Sequence, residues 1–154
     1  MTLRALTVFR GAWTTRLILL ASGLIAVAIA ATILFAPDAF YAGYGIRVTG
    51  NPTLANELKA PAGALLAAGL LMFAGVFRSE YAAVSLTTAV VVYLSYGLSR
   101  VTSIVIDGLP HGGMVDAAVV ELVIGAVCLL TLLRVRCINE QRGVRGRQRH
   151  ELAD

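Results

Sequence analysis

Along this chain, apolar residues gather in stretches long enough for membrane helices, and most charges fall at the ends of those stretches or between them. Four stretches stand out, at residues 17–35, 61–77, 82–106 and 114–133. A helix rises ~1.5 Å per residue, so about 17–25 residues cross a hydrocarbon core of ~30 Å. Lipid offers no partner to backbone N–H and C=O groups, so each crossing has to be helical. The pattern predicts an all-α fold, a four-helix transmembrane bundle. It divides the chain into a basic amino-terminal segment at 1–16, the transmembrane domain at 17–133 and a basic tail at 134–154. The first stretch is longer than the ~7–15 apolar residues of a signal peptide and three more follow it, so it reads as a retained helix.

The connection FAPDAFYAGYGIRVTGNPTLANELKAP, between the first two stretches, is not an ordinary loop. Phe35, Phe40, Tyr41 and Tyr44 suit a membrane–water boundary. They predict a short interfacial helix over PDAFYAGYG, between helices 1 and 2. Asn51 and Pro52 then read as an N-cap and a first helical residue, which starts the second crossing upstream of its apolar core. Pro61 falls inside that helix. It frees the carbonyl of Glu57, and a kink is expected there.

The third stretch carries one polar stripe. Tyr93, Tyr96, Arg100, Ser103 and Asp107 follow one another at spacings of 3, 4, 3 and 4, which lines them up on one helix face. Arg100 is the residue to account for. A charge at the bilayer centre costs about 2.5–3.5 kcal/mol on insertion scales. Arg100 lies six residues before Ile106, and Glu121 seven after Met114. Antiparallel helices joined by DGLPHGG therefore hold the two at matching heights, roughly 10 Å in at 1.5 Å per residue. Glu121 is the expected partner, with Glu57 the second candidate. Lys59 and Asp107 belong to the same half of the bundle. The alternative is snorkelling, in which Arg100 reaches the boundary and takes no partner.

Small residues repeat every fourth position at Ser22, Ala26 and Ala30, and again at Ala60, Ala64 and Ala68. That spacing lets backbones approach closely, and both faces are candidates for helix contacts.

Composition and charge refine the picture. Hydrophobic residues make up 58% and charged residues 14%, too few polar groups to cover a soluble domain. The net charge of +4 could point to nucleic acid. However, the basic residues flank the apolar stretches and do not interleave with aromatics, so no nucleic-acid partner is expected. Arg4, Arg10, Arg16, Arg78 and the arginines from Arg134 to Arg149 fall on one side, against Arg47 and Lys59 on the other. By the positive-inside rule both termini are cytoplasmic and the protein is a multi-pass component of the inner (plasma) membrane. The tail RGVRGRQRH reads as an unstructured topology signal. Cys128 and Cys137 form no CxxC motif. The two histidines, His111 and His150, lie outside the stretches, so a bis-histidine haem is not expected. Asp107, His111 and Asp116 read as an acidic turn, so neither metal nor cofactor is expected. No phosphate-binding glycine loop or nucleophile elbow is present.

The segments FYAGYGI, NELKAPAG, YGLSRVTSIVIDGLP and VVELVIGA, in that order, resemble a bacterial family of four-helix membrane proteins known only as a domain of unknown function. The resemblance covers roughly residues 17–133 and implies Glu57, Pro61, Arg100, Asp107 and Glu121 as the family's polar positions. This chain departs from the family pattern at Lys59, Ser99 and Val120. Lysine in place of arginine at 59 removes bidentate anion recognition there.

These readings converge on a polar site in the outer leaflet, with candidate residues Arg100, Glu121, Glu57, Lys59, Asp107, Tyr93, Tyr96 and Ser103. A non-enzymatic role is the expectation: an accessory subunit, or a binder of lipid or a small apolar molecule, with the tyrosines lining a cavity and Arg100 holding a polar head. Membrane lipid, a second copy or a larger membrane complex are the expected partners. A small proton-coupled transporter working as an oligomer, and an enzyme on a lipid-like substrate, are the alternatives.

Overall fold

The computed structural model describes the backbone of residues 2–151 and the side-chain surroundings of residues 13–138. The chain forms α1 (Thr2–Phe35), the short α2 (Pro37–Ala42), α3 (Pro52–Phe77), α4 (Ala82–Asp107) and α5 (Gly112–Glu151), with one 3₁₀ turn at Ser79–Tyr81. No strand occurs among the described residues. Four of the helices are long and apolar enough to cross a membrane, and α2 lies between the first two of them. The protein is an integral, multi-pass membrane protein.

Local chemistry sets the helix ends. Asn51 caps α3 by accepting a hydrogen bond from the Leu54 N–H at 3.0 Å, and Pro52 opens the helix at a position whose N–H has no helical partner anyway. Pro61 sits within α3, yet the helix runs unbroken to Phe77. α4 stops at Gly108, whose φ of 97° suits only glycine, and Pro110 blocks resumption.

α1 packs mainly along α3, and α4 along α5, while α3 against α4 joins these two pairs. A shared core draws Leu19, Met72, Leu86, Ala89, Tyr93, Cys128 and Leu132 from all four long helices. Side chains also cross between helices. Tyr93 donates to the Ser22 carbonyl at 2.6 Å, and Ser85 to the Leu71 carbonyl at 2.7 Å. Among the described residues no buried side-chain nitrogen or oxygen lacks a partner. Large apolar residues such as Leu24, Leu70, Val91, Val105 and Leu130 cover the outside, as a lipid-facing surface requires.

The small-residue faces divide. Ser22, Ala26 and Ala30 are buried as expected. Ala60 and Ala64 are exposed and only Ala68 of that face packs against the core, half-buried, while α3 buries Ala62, Leu65, Gly69, Met72 and Gly75. The true face lets Gly69 close on α1, where an added β-carbon would stand 2.7 Å from the Val27 side chain. A second correction concerns the tail: α5 continues as one helix to Glu151 and is not unstructured. Arginine, glutamine and glutamate are good helix formers, and they extend a helix whose costly nucleation is already met.

Candidate functional site

α4 and α5 approach through two reciprocal contacts. Leu122 fills the space over Gly97, where an added β-carbon would lie 2.8 Å from its side chain. Leu94 fills the space over Gly125, where the distance would be 2.5 Å. This antiparallel register brings the face bearing Arg100 beside the face bearing Glu121. Arg100 Nε donates to Glu121 Oε2 at 2.9 Å, the pairing expected from helix depth, so Arg100 does not snorkel free of a partner. The Arg100 side chain is 35% exposed and that of Glu121 15%.

The pair is only partly used. Among the described residues, neither terminal nitrogen of Arg100 makes a hydrogen bond and Glu121 Oε1 accepts none. Since no buried polar atom is left without a partner, these groups reach the surface. A charge-assisted hydrogen bond is worth about 1.5–3 kcal/mol, comparable to the cost of placing the arginine in a span. The pair thus makes the charge tolerable while the terminal N–H groups of Arg100 and one oxygen of Glu121 face away from the described residues.

Tyr96, half-buried one turn before Arg100, lies within electrostatic reach of both charges. Tyr93 was expected to line a cavity. It is instead 4% exposed, with its hydroxyl bound to α1, because a phenol facing the core must spend its O–H on a carbonyl. Ser103 donates to Asp107 at 2.9 Å, and both are exposed at the helix end, apart from the pair. Glu57 is exposed and Lys59 half-buried, and neither forms an ion pair among the described residues. Glu57 therefore does not serve as a partner of Arg100. Its place in the first turns of α3 leaves it in contact with solvent.

One contributor was not expected at the site. The connection carrying α2 folds over this end of the bundle. Tyr44 meets His111 edge-to-face at 6.1 Å between ring centroids and lies against Gly113, so it touches the α4–α5 loop. Tyr41 comes within electrostatic reach of Arg100 and Tyr96. Burial pushes its phenol up, and the Arg100 charge partly opposes this. The only sequence signal was the aromatic cluster itself, which an interfacial helix already explained.

Asp38 holds this cap in shape. Its carboxylate accepts from the Val48 N–H at 3.0 Å, the Thr49 N–H at 2.7 Å and the Thr49 hydroxyl at 2.5 Å. The Thr49 hydroxyl, and then its amide, hold the Asp38 carboxyl below the usual aspartate range. An open depression of about 610 Å³ lies beside this clasp, lined by Asp38, Ala42, Gly45, Ile46, Arg47 and Thr49, and does not include Arg100. No three His, Cys, Asp or Glu side chains come together to hold a metal among the described residues.

The family described as "Domain of unknown function (DUF4345)" matches residues 14–132, which include every helix pair and both members of the ion pair. No curated protein and no solved structure matches the chain.

Proposed function

The chain belongs to that family of unassigned activity, and on this premise we propose that it is a non-enzymatic lipid-binding membrane protein. The half-open ion pair of Arg100 and Glu121 receives the polar head, and the exposed flanks of α4 and α5 receive the apolar part. Both termini lie in the cytoplasm of a cell with this protein in its inner (plasma) membrane, so the capped end faces outward. The distribution of arginines supports that orientation: the uncapped end carries Arg16, Arg78, Arg134 and Arg136, and the capped end Arg47 and Lys59.

One observation carries the reading. Arg100 spends a single N–H on Glu121 and remains 35% exposed, which leaves its outer edge able to meet a further polar group. Arginine at such a position is suited to oxygen-rich groups, since its planar fork offers several fixed donors.

Gentle purification followed by native mass spectrometry tests the proposal. Wild-type protein is expected to carry bound lipid that Arg100→Ala releases, with the same oligomeric state in both. Lipid-free wild type, or equal retention by the variant, overturns it. Proton-coupled flux in proteoliposomes that is lost in Glu121→Gln would favour a transporter, and turnover of the extracted lipid would favour an enzyme.

A further inference from the structure

The lipid-binding reading leaves open which headgroup the pair takes. We infer that it is a receptor for a zwitterionic phospholipid headgroup carrying a phosphate and a primary ammonium, with the phosphate on the free edge of Arg100 and the ammonium on Glu121 Oε1. This rests on the lipid-binding proposal and sharpens it.

Charge and valence both single out this headgroup. Arg100 and Glu121 are joined by a single 2.9 Å contact, so the site as a whole is neutral. A purely anionic group drawn to Arg100 meets the Glu121 carboxylate beside it, and a purely cationic group meets the guanidinium. A zwitterion of matching order gains at both ends. The unfilled valences point the same way. The groups without a partner among the described residues are the terminal N–H donors of the guanidinium and one carboxylate oxygen. The donors suit phosphate oxygens, and the acceptor requires an N–H. A primary ammonium supplies that N–H and a quaternary ammonium does not. Arg100 lies seven residues, about 10 Å, before the end of α4, and its long side chain can reach from that depth toward the headgroup layer. Tyr96, half-buried one turn before Arg100 on the same helix, adds a phenol to this face.

The full chain is reconstituted in nanodiscs with equal shares of phosphatidylethanolamine, phosphatidylcholine and phosphatidylglycerol, and the lipids retained are counted by native mass spectrometry. Phosphatidylethanolamine is expected to exceed each of the others by roughly tenfold, the scale of one charge-assisted hydrogen bond. Replacing it with its mono-, di- and trimethylated forms should lower retention stepwise as N–H groups are removed, which tests the wild type without any substitution. Glu121→Gln keeps an oxygen for Arg100 Nε but removes the negative charge, and should bring phosphatidylglycerol level with phosphatidylethanolamine. Lipid retained without headgroup preference, or insensitivity to methylation, overturns this inference and leaves lipid binding standing. Absence of retained lipid overturns both. If free phosphoethanolamine binds delipidated protein as well as the lipid does, a soluble ligand replaces the phospholipid and the inference fails.

Discussion

At the scale of single residues, Arg100 and Glu121 should behave as a unit. Glu121→Ala leaves a half-buried guanidinium without a counter-charge. The expected loss is about 1–3 kcal/mol, below that of a fully buried pair because Arg100 is partly exposed. The double variant Arg100→Met, Glu121→Leu should recover most of that loss. Thermal unfolding in detergent measures both, and a double variant as unstable as the single one removes the coupling. Asp38 gives a second prediction. Its folded pKa lies below the unfolded one, so its stabilising effect is present above the ordinary aspartate value of about 3.9 and fades as pH falls through the lowered native value. The Thr49 amide resonance should therefore titrate with a midpoint below that of a free aspartate; a midpoint at or above it removes the clasp. The ion pair was legible in sequence because helical spacing converts position into depth. The clasp was not: Asp38 and Thr49 are eleven residues apart in an irregular connection with no repeat to read.

At the scale of helices, caps and crossings followed local rules while the choice of packing face did not. Asn51 with Pro52 announced the start of α3, and the structure starts it there. On the same helix two faces carry small residues, Ala60 with Ala64 and Gly69 with Gly75, and periodicity alone cannot rank them. The face that wins meets Leu19, Ala26 and Val27 of α1 and Ser85 of α4. This difference can be measured. A β-carbon at Gly75 would lie 2.7 Å from the Ser85 β-carbon, which has no flexible end to move aside, whereas Gly63 has nothing within 4 Å. Gly75→Ala should cost about 1–3 kcal/mol by forcing α3 and α4 apart. Gly63→Ala should be neutral or slightly stabilising, because alanine is the better helix former. Equal melting temperatures for the two variants would falsify this account of the crossing.

At the scale of the whole molecule, an even number of crossings places both ends of the bundle's chain on one side. Cys137, exposed near the uncapped end of α5, reports which side that is, while Cys128 is buried in the core and silent. A membrane-impermeant maleimide should label Cys137 in inverted vesicles and not in intact cells; the opposite result reverses the orientation and moves the Arg100–Glu121 pair to the inner leaflet. The four-helix architecture was readable throughout because lipid forces every apolar stretch into the same backbone form. The cap over the site was not, because it depends on aromatic contacts between two connections far apart in sequence, Tyr44 with His111. The pairing of α4 with α5 also bears on biosynthesis. Arg100 leaves the ribosome twenty-one residues ahead of Glu121, so while the chain is being made the translocon meets a cation whose counter-ion does not yet exist. Entry of the two segments as a hairpin would hand the arginine its carboxylate on arrival and spare it the cost of a lone charge in lipid.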